Sequence, residues 1–164
     1  MTEKKKNESF EYRLLLTPVY DDTIKKEGIR FLLETTKQFT NFAYVIDVHD
    51  VLKGGSLRWT LHGLRAPSMI MPTTGTARFE KVYFDLPKKI DFTFVKKGKL
   101  QHTASIKFLK NGYEVAAAES GLLKIYRDEQ EFNDNRISDS LAPELKPDSH
   151  RGSSLTSPEQ KKKT

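Results

Sequence analysis

Cysteine is absent from all 164 residues, which excludes a disulfide framework, a thiolate nucleophile and a cysteine-ligated metal centre. Long apolar runs are missing too: none approaches the roughly 20 residues that a membrane-crossing helix requires. The opening MTEKKKNES is charged and leads into no apolar signal core, so a soluble cytoplasmic protein is expected. There is no Walker loop, no dinucleotide-binding glycine fingerprint, no paired-histidine zinc helix and no nucleophile elbow. These gaps turn the expectation away from an enzyme, and no cofactor is implied.

The formal net charge of +6 is placed unevenly. Residues 8–75 balance, with eight acids and eight bases, whereas residues 76–110 set nine Lys and Arg against Glu80, Asp85 and Asp91. Any electrostatic partner is therefore sought in that second segment. At the ends, residues 1–7 read as a mobile arm and residues 128–164 as a disordered tail. The tail is rich in Ser, Pro and charge, with apolar residues scattered singly. Such a segment buries too little surface to offset its ordering entropy. Within it, Ile137, Leu141 and Leu145 could form a linear motif, and Ser157-Pro158 a modification site. A passive solubilising extension is the plainer reading.

Residues 8–127 read as one domain of dominant period two. SFEYRLLLTP forms a first strand. Tyr44, Ile46, Val48 and Leu52 alternate, as do Leu57, Trp59 and Leu61, and a loop at Gly54-Gly55 sets Val48 opposite Leu61 and Leu52 opposite Leu57. Lys97-Gly98-Lys99 makes a turn placing Phe94 near His102 and Phe92 near Ala104. Asn111-Gly112 is a two-residue hairpin signal that pairs Phe108 with Val115 and Ile106 with Ala117. Pro87 begins a further turn between Phe84 and Ile90, and residues 121–126 make a last strand. The expected fold is mainly β, an antiparallel meander of six to eight strands closing as a barrel or sandwich.

One segment carries both periods. In YDDTIKKEGIRFLLETTKQF, residues Ile24, Gly28, Leu32, Thr36 and Phe39 share a helical face, which Asp21 or Asp22 could cap. Ile29, Phe31 and Leu33 alternate like a strand, and Gly28 and Thr35-Thr36 weaken a helix. The helix is the expectation taken, and it would pack on the sheet to make an α+β fold.

Three constellations are candidate sites. The lysines Lys88, Lys89, Lys107 and Lys110 fall at one end of the strands, and Lys96, Lys97 and Lys99 at the other. A nucleic acid could use both groups. A single-strand platform, however, needs exposed aromatics between its cations, and Tyr83 is the one aromatic placed outward there. Lysines also guard exposed sheet edges against pairing, which is the simpler reading. Met69, Ile70 and Met71 form an apolar triplet between Pro67 and Pro72. They either plug one end of the domain or contact a partner or apolar ligand. Asp47, opposite His62 and beside His49, is the one weak metal or acid–base cluster. His102 falls on the inner face, as a core or rim histidine.

The expectation that emerges is a non-catalytic binding or protein-interaction module, self-association through an open sheet edge included. The alternatives are a barrel binding a small apolar ligand and a nucleic-acid binder through the lysine-rich turns.

Overall fold

The computed structural model describes residues 10–68, 74–97, 100–117 and 121–136. It is mainly β: one nine-stranded sheet, nearly closed as a barrel, with one short helix. The strands are β1 (Tyr12–Asp21), β2 (Lys26–Phe39), β3 (Val45–Lys53), β4 (Ser56–Arg65), β5 (Gly75–Phe84), β6 (Lys89–Lys96), β7 (Leu100–Leu109), β8 (Gly112–Ala117) and β9 (Leu123–Tyr126). The helix α1 spans Glu129–Asp134.

The strand order is β8-β7-β6-β4-β3-β5-β2-β1-β9. This is not the simple meander expected. β4 and β6 run parallel, as do β3 and β5, and β1 and β9. The turn after Phe84 does not join neighbours: β5 lies on β2, while β6 lies between β4 and β7. Side-chain alternation specifies which face of a strand is buried but not which strand lies beside it, so the crossover left no mark on the pattern.

The helix expected over 21–39 is overturned. Lys26–Phe39 is a long strand paired with β1 from Lys26 to Thr35 and with β5 along most of its length. Phe31 and Leu33 point into the core, and Leu32 and Glu34 are buried on the other face. Burial on both faces breaks the polar–apolar alternation that would have identified a strand. Asp21 does cap, but it caps a turn: its carboxylate accepts from the backbone N–H of Thr23 at 2.8 Å and of Ile24 at 3.3 Å. Lys25 closes that turn with φ 52°. Gly28 is dictated by space, since a Cβ there would stand 2.8 Å from the Phe84 ring.

The expected hairpin pairings hold for Val48 with Leu61, Leu52 with Leu57, Phe94 with His102 and Phe92 with Ala104. The β7–β8 hairpin differs. Its loop is Lys110-Asn111, so Phe108 pairs with Tyr113 and Ile106 with Val115. This register shift of two keeps every side chain on its expected face, which is why the pattern could not distinguish the two pairings.

Aromatic rings fill the barrel interior. Phe31 stands 5.7 Å from Trp59 and 5.2 Å from Tyr83, and Trp59 stands 5.5 Å from Phe92, centroid to centroid. Tyr83 was placed outward by its sequence but belongs to this core, because it sits across from Ile29 on the inner face of β2. His102 is buried, and loss of water draws its imidazole below the usual range. The folded protein thus refuses a proton that the unfolded chain accepts near pH 6.5. Stability is full above that pH and falls as the pH drops through it toward the folded value. Urea midpoints at pH 7.5 and pH 5 should therefore differ, and His102→Leu should shrink the difference.

Residues 129–134 were expected to belong to a structureless tail, yet they form α1. The Asp128 carboxylate caps it by accepting from the Gln130 N–H at 2.9 Å. Phe132 then packs with Leu15, Leu32 and Tyr126 on the outer face of β1, β2 and β9. Beneath it lies an ion cluster. Glu34 is 0 % exposed and Arg13 1 %, with Nη1 3.0 Å from Oε1. Glu34 also receives Thr76 at 3.2 Å, Arg78 at 3.3 Å and Arg136 at 3.1 Å. Arg13 additionally donates to the Phe132 carbonyl and lies 4.1 Å from the Phe132 ring centre. The segment 137–164, with Ile137, Leu141, Leu145 and Ser157, lies outside the described residues, as do residues 1–9. No helix among the described residues is long and apolar enough to cross a membrane.

Candidate functional site

A sheet that curls on itself satisfies its backbone everywhere except where neighbouring strands fail to pair. Among the described residues this barrel has two such seams. The first is between β8 and β9, the two ends of the strand order. There the Arg127 guanidinium donates to the Tyr113 carbonyl at 3.3 Å and links the two ends. The second is between β3 and β5. These strands share one ladder pair, Val45 with Arg78, supported by the Arg78 N–H donating to the Tyr44 carbonyl at 3.2 Å. Beyond that pair no backbone ladder joins them.

Side chains span the second seam instead. The Asp50 carboxylate on β3 accepts from Lys81 at 2.6 Å and from the Tyr83 hydroxyl at 2.7 Å, both on β5. The Trp59 indole N–H donates to the same hydroxyl at 2.8 Å. Burial opposes the Asp50 charge, but hydrogen bonds from Lys81 and Tyr83, with the Lys81 ammonium, outweigh it and hold the carboxyl below its usual range. The Tyr83 phenol is pushed up by burial first and by the Asp50 carboxylate second. Across neutral pH the phenol keeps its proton and the carboxylate its charge. The triad is a strut, without the proton exchange that a general acid–base pair needs.

The first seam opens into a cleft of about 1080 Å³ at the hairpin end of the barrel. The β1–β2 hairpin, the β5–β6 connection, the β7–β8 hairpin and the start of α1 surround it. Leu86, Phe108 and Tyr113 give it an apolar side. The Tyr113 hydroxyl is buried without a hydrogen-bond partner among the described residues, and burial pushes its phenol up to about 12.

The lysines divide between the two ends. Lys88 and Lys110 line the cleft, and Lys89 faces Lys107 directly across the strands. At the other end Lys96 is held by Glu11 at 2.5 Å, and that hydrogen bond raises its pKa. Lys97 is exposed, and Lys99 lies outside the described residues. Met69, Ile70 and Met71 also lie outside them.

The Asp47–His62 pairing does not form. A register shift after Asp47 sets it opposite Gly63, and its carboxylate turns to Arg65 at 3.6 Å. His49 and His62 remain near each other, ring centres 6.3 Å apart. No group of three or more His, Asp or Glu side chains converges among the described residues.

Sequence reasoning passed over Asp50, Arg13, Glu34 and Tyr113. A signal existed for the first three. Asp50 interrupts the inward series Ile46, Val48, Leu52, and Arg13 and Glu34 each adjoin apolar runs. Tyr113 carried none, because a tyrosine on an inner face is ordinary. No protein-family model matches this chain, and searches of curated proteins and of solved structures return no match.

Proposed function

We propose that this chain is a non-catalytic interaction module that takes an extended segment of a partner protein as an added strand on β3. The observation that carries this reading is the break in the barrel wall after Val45 and Arg78. From there, among the described residues, β3 is paired on the β4 side alone. Val51 and Leu52, 45 % and 41 % exposed, lie along the free edge, and no proline interrupts it. Unpaired backbone beside exposed apolar side chains supports strand addition, in which main-chain bonds supply affinity and alternate side chains supply specificity. β3 and β5 run in the same direction, so one incoming strand of opposite sense is antiparallel to both.

The packed aromatic interior weighs against a ligand held on the barrel axis. The capture of Lys96 by Glu11, and the aromatics turned inward, weigh against a nucleic-acid platform.

The test uses a photo-reactive amino acid at position 52 in the full-length chain, irradiated in the producing cells. Adducts to one extended segment of another protein, or of a second copy, are expected. They should disappear when Val51→Lys guards the edge. Adducts confined to β5 of the same chain, or adducts unchanged by Val51→Lys, sink the proposal.

A further inference from the structure

On the outer surface of the β3–β4 hairpin the backbone brings two imidazoles together. His49 on β3 and His62 on β4 stand with ring centres 6.3 Å apart and ring planes at 68°. Val48 pairs with Leu61 on the inner face, so the next pair, His49 with Thr60, points outward. A regular ladder would then set His62 opposite Asp47. Instead Asp47 pairs with Gly63, and His62 is the extra residue of a β-bulge. Gly63 carries φ 138°, a conformation that glycine adopts readily and other residues rarely. Bulges of this kind re-aim a side chain, and this one leaves the His62 ring beside His49.

Both imidazoles are exposed, and among the described residues neither has a hydrogen-bond or ion-pair partner. Their lone pairs are therefore available to an incoming electrophile. Asp47, the acid on the same face, is turned to Arg65 at 3.6 Å. The donor set is thus two neutral nitrogens, which suits zinc, copper and nickel, whereas magnesium and calcium require oxygen ligands. A zinc-class ion lies about 2.0–2.1 Å from an imidazole nitrogen, which puts two bound ring centres roughly 5–6 Å apart. The pair is slightly wider than that, and exposed rings without partners close the difference by side-chain rotation, with the strands in place.

We propose that His49 and His62 bind one divalent transition-metal ion of the zinc class, each through one ring nitrogen, with water in the remaining positions. The ion clips β3 to β4 at the bulge, and its open positions face solvent, where a further ligand exchanges with water. The backbone edge of β3 and the end cleft take no part.

The experiment is calorimetric titration of the full chain, bearing no affinity tag, with zinc chloride near neutral pH. One ion per chain should bind, and excess magnesium chloride should not displace it. His49→Gln and His62→Gln should each weaken zinc at least about tenfold, since losing a group that merely supports a metal ligand already costs that much. His150→Gln, outside the described residues, should leave the affinity unchanged. Lowering the pH should weaken binding, because a protonated imidazole has no lone pair to give. Zinc should also raise the melting temperature of the parent chain and not that of either hairpin variant. Both substituted side chains are exposed, so the variants keep the fold, which circular dichroism checks. Absence of zinc binding, displacement by magnesium, or an affinity that survives both His49→Gln and His62→Gln overturns the proposal, as does its loss in His150→Gln.

Discussion

Glu34→Ala should destabilise the protein by about 3–5 kcal/mol, the scale seen when one partner of a buried ion pair is removed. Glu34 is fully enclosed and is the shared acceptor for Arg13, Thr76, Arg78 and Arg136. Without it, Arg78 and Arg136, which are 53 % and 32 % exposed, can turn to water. Arg13 cannot, because it lies under Phe132 and Tyr126. The cost is therefore concentrated in one stranded guanidinium. The double variant Arg13→Met/Glu34→Leu separates charge from packing. It should recover most of the loss, since replacing a whole buried pair by apolar side chains is often neutral or stabilising. Urea unfolding followed by the fluorescence of Trp59, the single tryptophan, checks both. A loss below about 1 kcal/mol for Glu34→Ala would mean that water reaches Arg13 and that α1 is not held as described.

Trp59→Ala is the second large effect, again about 3–5 kcal/mol, from lost transfer energy and the cavity left behind. Its indole touches Phe31, Phe79 and Phe92, each ring centre within 5.7 Å. It also donates to Tyr83. Trp59→Phe divides these contributions, because it keeps an aromatic body and drops the donor. Tyr83 still donates to Asp50 in that variant, so no buried hydroxyl is orphaned. The phenylalanine variant should lose less than half of what the alanine variant loses. Far-UV circular dichroism during urea unfolding reads both, since the fluorophore is gone. Equal losses would place the energy in the hydrogen bond and not in the ring packing.

The alternation at Leu57, Trp59 and Leu61, with Ile46 and Val48 opposite, was legible because one face of those strands is wet and the other dry. A period of two survives only under that contrast. In β2 the contrast fails. Leu32 and Glu34 are covered on the outer face by α1 and its neighbours, so the segment offered a helical spacing that was accidental. Helix α1 was hidden for a related reason. A six-residue helix held by one phenylalanine and two arginines leaves almost no hydrophobic period, and its composition matches a tail.

Site residues followed the same division. The lysines at hairpin ends could be placed from turn signals alone. The strut of Trp59, Tyr83 and Asp50 could not, because Tyr83 reaches the β3–β4 hairpin only where β5 lies beside β3, and a meander would place β5 beside β4. Asp47 was misplaced by one bulge, which moved His62 out of register with it.

By itself the sequence determined that this chain is a β protein with an aromatic core, cationic hairpin ends and no thiol chemistry. Those properties follow from composition and from the local alternation of side chains, which each residue carries wherever its strand lies. Only the tertiary structure decided which strands meet, where the wall stays open and where the end cleft forms. These depend on contacts between residues far apart in the chain, such as Arg13 with Glu34 or Tyr83 with Asp50, for which a linear pattern has no coordinate.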